Sequence, residues 1–337
     1  MRTFRRIMGR GLVLIILLCL ALWIWGPYER ISLHPTFGSS DIGVDIDAYL
    51  AAKEADFDDI TPDTQKRVIW HGESGKKTPL AIVYIHGFSA TSEEIRPVPD
   101  LVAKALGANL FYTRLAGHGR KGEALAEVTT QDWMNDAAEA LEIGRRLGED
   151  IIVIATSTGA TLMAEAAVQP DMVKDVKGLV LVSPNFGLAD PTAMILTLPA
   201  ARYWGPVVAG KTRSWTGRND LHDKFWTTTY PTVSLFQMAA LVQHAATQNY
   251  QSVTVPALFW FSDADDVVDH RETRKVAAAW GGENTLQTVM AVSVGTGDDP
   301  NSHVIAGDIL SPGQTQGLVG GILNWINELE LYPNVKD

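Results

Sequence analysis

Ile151-Ile152-Val153-Ile154-Ala155-Thr156-Ser157-Thr158-Gly159-Ala160 sets a continuous apolar run against a turn of small residues. An apolar helical pattern follows directly, beginning Thr161-Leu162-Met163-Ala164. A run of four to eight β-favouring residues bounded by a turn reads as a strand buried on both faces. The turn itself reads A-x-S-x-G, a variant of the G-x-S-x-G elbow with alanine in the first position. Small residues are needed there because a sharp strand-to-helix turn brings the helix hard against the strand. Such a turn lifts the serine hydroxyl above the sheet edge and aims the next backbone N–H, that of Thr158, at a developing oxyanion. Alone the pentapeptide is weak, since a serine among small residues is more often an ordinary turn. The strand–turn–helix setting raises Ser157 to a candidate nucleophile.

Working outward, apolar β-rich runs alternate with helical patterns. Strands are expected at Arg67–Trp70, Leu80–Ile85, Asn109–Thr113, Ile151–Ala155, Gly178–Val182, Ala257–Phe261 and Leu286–Val292. Helical patterns lie at Glu93–Leu106, Gln131–Leu147, Thr158–Val168, Arg271–Trp280 and Gly317–Leu329, with a short acidic one at Asp45–Phe57. This alternation implies an α/β fold, a mostly parallel sheet flanked by helices. It breaks once, between Pro184 and Val255, where prolines, tryptophans and short helical patterns suggest a helical cap, about residues 186–252.

Two further turns carry a resemblance. Leu80–Ile85 runs into His86-Gly87-Phe88-Ser89, and Arg114-Leu115-Ala116-Gly117-His118-Gly119 follows the next strand. With the serine turn, these resemble the α/β-hydrolase superfamily over most of the chain beyond about residue 61. The resemblance implies that the Phe88 amide joins that of Thr158 in an oxyanion hole, and that His86 and His118 are structural. In that superfamily an acid and a histidine follow the serine in chain order. Ser262-Asp263-Ala264-Asp265-Asp266-Val267-Val268 matches its G-x-x-D-x-V-V pattern with Ser262 for glycine, which puts the acid at Asp265. Asp263 and Asp266 crowd the same loop and stay open as alternatives. The histidine falls at His303, in Asn301-Ser302-His303-Val304 after the last strand; His270 begins a helix just after the acid loop, His222 and His244 fall in the cap, and His34 and His71 are too early.

The H-G-F turn, the G-H-G turn and the cap resemble the monoacylglycerol lipase, lysophospholipase and serine aminopeptidase branch. That branch implies a small-molecule substrate, either an ester with one apolar acyl chain or a small peptide, and no cofactor or metal. The cap's Trp204, Trp226 and Tyr230 could line an apolar substrate cleft or merely cement the cap to the sheet. A non-catalytic binding protein on the same scaffold is the rival from another class. Ala155 and Ser262 depart from the usual glycines but remain small.

The bulk composition agrees. A chain of 337 residues, 46% hydrophobic and 20% charged, has enough apolar residues for a large core. Its net charge of −11 repels nucleic acid. Cys19 is the single cysteine, so no internal disulfide or zinc spacing exists.

The N-terminus predicts a membrane. Arg2, Arg5, Arg6 and Arg10 precede an uncharged run, Gly11–Gly26, ending in Trp23, Ile24 and Trp25. Residues 1–27 read as a basic stub and signal anchor with the N-terminus cytoplasmic and the catalytic domain on the outer side. A cleaved signal peptide is the alternative, though no A-x-A pattern follows the apolar core. Residues 28–60 read as a tether with the short acidic helix, and 61–337 as the hydrolase domain.

Two motifs are set aside. Gly205-Pro206-Val207-Val208-Ala209-Gly210-Lys211-Thr212 matches the phosphate loop G-x-x-x-x-G-K-[ST], but no strand precedes it and no good helix follows. Gly117–Gly122 fits G-x-G-x-x-G without the helix that a dinucleotide site needs.

Overall fold

A computed structural model of the chain describes residues 2–281, 287–293, 295 and 297–329. Leu286, expected to open the last strand, and residues 330–337 of the expected 61–337 domain lie outside the described residues.

Among the described residues, seven strands form one sheet: β1 (Arg67–Ile69), β2 (Thr78–Ile85), β3 (Asn109–Tyr112), β4 (Gly148–Thr156), β5 (Val176–Val182), β8 (Ala257–Ser262) and β9 (Gln287–Val292). Their order is β1-β3-β2-β4-β5-β8-β9, parallel except for β1. Strand side chains alternate between two cores, because successive residues point to opposite faces. Val83, Val153, Leu181 and Phe259 face one core, which α4 (Thr130–Leu147), α5 (Thr158–Ala167) and α9 (His270–Ala279) cover. Ile82, Ile154, Val180 and Leu258 face the other, under α3 (Val98–Leu106) and α10 (Thr315–Glu328). Burial on both faces is why these strands read as unbroken apolar runs rather than alternating ones.

The chain passes from β2 to β3 on one side and then to β4 on the other, so the strand order reverses between β2 and β4. Open α/β sheets bind ligands outside the carboxyl ends of strands at such a point. The His86-Gly87 turn and the Ser157 turn leave the sheet there.

Between β5 and β8 lie a 3-10 turn (Pro191–Thr197), α6 (Ala201–Ala209), β6 (Thr212–Ser214), α7 (Asp220–Phe225), β7 (Thr229–Pro231) and α8 (Ser234–Ala246). β6 and β7 form a two-stranded antiparallel sheet. α8 lies within the expected cap of 186–252. Its Met238, Leu241, Val242 and Ala245 are buried in the same core as α5, so α8 ties the region between β5 and β8 to the sheet's helical layer.

The N-terminal α1 (Arg2–Trp25) is long and apolar enough to cross a membrane, and its Arg6–Trp25 stretch is unburied by the rest of the chain. The expected tether is instead a packed strap. Thr36 and Phe37 amides donate to Asn135 Oδ1 at 2.7 and 3.2 Å, and the Ser32 amide donates to Thr130 Oγ1 at 3.0 Å, all on α4. Beyond it, α2 (Ile46–Glu54) is locked to the body: Glu54 accepts two hydrogen bonds from the Arg114 guanidinium, at 2.8 and 2.9 Å, with both side chains buried. Lys66, half-buried, pairs with Asp136 at 2.8 Å and with Glu139.

Candidate active site

Ser157 sits between β4 and α5 with φ +50° and ψ −120°. A non-glycine residue in such a conformation stores about 1–3 kcal/mol of strain, held by the packing around it. The packing is tight: a Cβ at Gly159 would lie 2.4 Å from the His86 carbonyl oxygen, so only glycine fits. A Cβ at Gly87 would meet Ser157 Cβ at 2.9 Å. These two glycines let the β2 and β4 turns close on each other.

His303 arrives from the loop beyond β9. Its Nε2 is 3.1 Å from Ser157 Oγ and its Nδ1 is 2.8 Å from Asp265 Oδ2. All three side chains are buried. Asp265 Oδ1 accepts from the Val267 and Val268 amides at 2.8 and 2.9 Å, which orients the carboxylate. Burial pulls the His303 pKa down, but the charge and hydrogen bond of Asp265 prevail and leave it above the ordinary histidine value. Of the three crowded carboxylates, Asp265 is the one that touches the imidazole. Asp263 instead pairs with Arg274 at 2.8 Å, and Asp266 is an exposed residue on the cavity wall. A carboxylate, imidazole and hydroxyl in hydrogen-bonded series can activate the hydroxyl as a nucleophile, the imidazole taking its proton.

Phe88 and Thr158 flank Ser157 on the wall of the cavity. Thr158 opens α5, and the first amides of a helix have no acceptor within it. The orientation of the Phe88 amide is set from behind. His86 Nδ1 donates to the Gly87 carbonyl oxygen at 2.9 Å while His86 Nε2 accepts from the Leu115 amide at 3.1 Å. In a planar trans peptide, fixing the Gly87 carbonyl turns the Phe88 N–H the opposite way. Burial, and then the neighbouring His118, hold His86 well below the ordinary histidine pKa; His118 is itself lowered to about 4, chiefly by burial. Both shifts favour the neutral imidazole.

Two carboxylates of the site were not singled out from sequence. Glu94 is buried on the cavity wall, with Oε2 accepting from the Gly87 amide at 2.7 Å and from the Tyr84 hydroxyl at 3.1 Å. Burial pushes its pKa up to about 7. Asp299 accepts the His303 and Val304 amides at 3.2 and 3.0 Å and shapes the histidine loop. Glu94 follows the H-G-F turn closely, which was the available signal; Asp299 had none beyond its nearness to His303.

The cavity above Ser157 has a volume of about 740 Å³. Trp226 and Tyr230 line it with Trp215, Leu235 and Met238. Trp204 is not on the cavity wall: its indole donates to the Pro199 carbonyl at 3.0 Å. The phosphate-loop match runs through α6 into β6, a helix followed by a strand, the reverse of the required order. Among the described residues no group of three metal-ligating side chains is placed to hold an ion.

Fold and site together define an α/β-hydrolase. Residues 76–291 match the family described as serine aminopeptidase, S33, and the chain belongs to it. It is 28% identical over 203 residues to a thermostable monoacylglycerol lipase from Bacillus sp. (strain H-257), spanning 59% of this chain and 74% of that one. Similar solved structures include one from a study of the metagenome-derived lipolytic enzymes LipS and LipT, with a TM-score of 0.64, 15% identity, and coverage of 80% of this chain and 99% of that one. A soluble variant of the Saccharomyces cerevisiae monoglyceride lipase gives a TM-score of 0.57 at 12% identity, covering 79% and 91%. The chain is a serine hydrolase of the lipase and esterase type, in the branch that resembles monoacylglycerol lipases.

Proposed function

We propose that the protein is a membrane-anchored serine hydrolase that cleaves carboxylic esters with an apolar acyl group through an acyl-enzyme. The observation that carries this reading is the hydrogen-bonded series Asp265–His303–Ser157 at the floor of an aromatic-walled cavity. His303 Nε2 takes the Ser157 proton as Oγ attacks the acyl carbonyl; Nδ1–H stays on Asp265, which stabilises the imidazolium. The Phe88 and Thr158 amides receive the oxyanion, each such donor supplying about 3 kcal/mol to the transition state. Collapse expels the alcohol, which takes the proton from His303. Water, deprotonated by the same imidazole, then releases the acid and restores the Ser157 hydroxyl.

The α1 helix, apolar and unburied, supports the anchor. Its arginines support a cytoplasmic N-terminus with the catalytic domain on the outer side. A monoacyl ester fits the cavity wall and the relative's name, and matched ester and amide substrates test that preference against a peptidase.

The deciding experiment treats the full chain in detergent with a fluorophosphonate probe and maps the adduct by mass spectrometry. Label on Ser157 that disappears in His303→Ala is the expected result. An unlabelled, folded protein would leave a binding role on a hydrolase scaffold. For topology, added protease should digest the domain when the outer face is exposed, and protection there would reverse the orientation.

A further inference from the structure

Two polar atoms beside Ser157 have no protein partner. Asn185, just beyond β5, is 3% exposed, and Thr158, which opens α5, is 2% exposed; both lie on the cavity wall. Among the described residues nothing bonds to Asn185 Oδ1 or to Thr158 Oγ1. A buried polar atom left unpaired costs free energy, so nearly all find a partner in the protein, in ordered water or in a ligand.

The residues that carry these atoms are firmly held. The Asn185 amide donates to the Ser157 carbonyl at 3.3 Å, and the Asn185 carbonyl accepts from Thr161 Oγ1 at 2.6 Å. Asn185 Nδ2 faces the sulfur of Met238 at 3.8 Å. A thioether sulfur can only accept, so Met238 takes the Nδ2 end of the carboxamide and leaves Oδ1 over. Thr158 lies one helical turn before Thr161, on the same face of α5 as the residue that holds Asn185. The helix that carries Met238 is itself fastened from outside. Glu29 of the strap accepts from Arg202 Nε on α6 at 2.9 Å and from Gln237 Nε2 on α8, while Gln237 Oε1 accepts the Thr130 amide at 2.8 Å. The unpaired atoms thus sit on a preorganised wall.

Their side of the cavity decides which part of an ester they meet. His303 must protonate the departing alcohol, so the alcohol lies on its side, where Val304 and Leu310 belong to the core under α3 and α10. The acyl group leaves the reacting carbon in another direction. Met238, against Asn185, belongs to the opposite core, and Leu188 and Leu235 of the cavity wall pack on that core too.

We propose that Asn185 and Thr158 form an acyl-side specificity site for a hydroxyl on one of the first carbons of the acyl group. The hydroxyl gives its proton to Asn185 Oδ1, and its oxygen accepts from Thr158 Oγ1. The inference deepens the ester-hydrolase reading above and rests on it. The bond from the Asn185 amide to Ser157 keeps the carboxamide within a few carbons of the reacting carbonyl. A carboxylate does not fit, because Asn185 Oδ1 is an acceptor. An ammonium would lose its water against Leu188, Leu235 and Met238 at a high cost.

The test measures kcat/KM of the full chain in detergent on ethyl esters of hexanoic acid, of each enantiomer of 2- and 3-hydroxyhexanoic acid, and of their methoxy counterparts. Each value is divided by that ester's rate with hydroxide, which removes intrinsic reactivity. One hydroxy ester should exceed the hexanoate at least about tenfold. Its methoxy counterpart has no proton to give and should fall to the hexanoate level or below. In Asn185→Leu, close in shape but without polar atoms, that preference should vanish. The melting temperature of this variant should rise, because an unpaired buried group is gone. A preference kept in Asn185→Leu, or a melting temperature lowered by it, overturns the role of Asn185, the latter by revealing a structural partner. If no ester is turned over, the ester-hydrolase reading fails and the inference with it. Turnover of the hexanoate with no preference for any hydroxy ester sinks the inference alone.

Discussion

The body of the molecule and its cap obey opposite burial rules. In the body, polar groups lie inside and are paired: Glu54 with Arg114, Lys66 with Asp136, Asp265 with His303. In the cap, valine, tyrosine and methionine lie outside, among cations. Buried polar groups must be satisfied or they cost several kcal/mol, so the body's polar interior is rigid and its geometry serves chemistry. Exposed apolar groups are held by nothing in the protein, so the cap's geometry serves what it meets.

That contrast makes the two regions separable by mutation. The largest effect belongs to the serine and histidine. Ser157→Ala or His303→Ala should lower kcat/KM for any ester by about 10⁴ or more with little change in the melting temperature. If activity survives, the hydrogen-bonded series is not the engine of the reaction. Next is Arg114→Ala, which leaves Glu54 buried without its partner. It should destabilise the body by about 3–5 kcal/mol in urea unfolding, whereas the cap substitutions Val207→Asp and Val208→Asp should leave stability unaltered. Comparable losses in the two regions would erase the distinction.

Trp226→Ala, on the cavity wall, should change the ratio of long- to short-chain ester turnover by about tenfold while fluorophosphonate labelling of Ser157 persists. A ratio unmoved by the substitution would return Trp226 to the role of cement. The smallest effect is a displacement of the pH profile. The carboxylate of Glu94 favours the imidazolium of His303, alongside Asp265 and Asp299. The acidic limb of kcat/KM reports protonation of the free enzyme's base. Glu94→Gln removes the Glu94 charge, lowers the histidine pKa and should move that limb to lower pH. An unmoved limb would show that Glu94 acts on the Gly87 turn alone.

What could be seen in the sequence follows the same division. Strands buried on both faces must be apolar throughout, so β2, β4, β5 and β8 announce themselves. The Ser157 turn does too, because its close packing demands Gly159. Asp265 and His303 were reached through spacing within a resemblance, and their contact is a property of the fold alone. The cap resists such reading: β6 and β7 span three residues each, too few for a period, and α8 is apolar in a region that looked irregular. Trp204 shows the limit most simply, since composition can say that an indole is present but not which way it turns. Glu94 and Asp299 accept backbone amides only a few residues away, Gly87 for the first and His303 and Val304 for the second, and the turns that aim those amides inward leave no pattern of residue types beyond nearness to the site.

The clasp at Glu29 has a consequence for biogenesis. Its two partners lie 173 and 208 residues further along the chain. During synthesis the first helix is therefore released from the ribosome long before this clasp has anything to fasten to. The ring of chain between Glu29 and Gln237 closes only when most of the polypeptide has emerged, and contacts so distant in sequence form late. The strap's bonds to Thr130 and Asn135 on α4 meet their partners 98 and 99 residues along, so the buckle at Glu29 becomes available only after them.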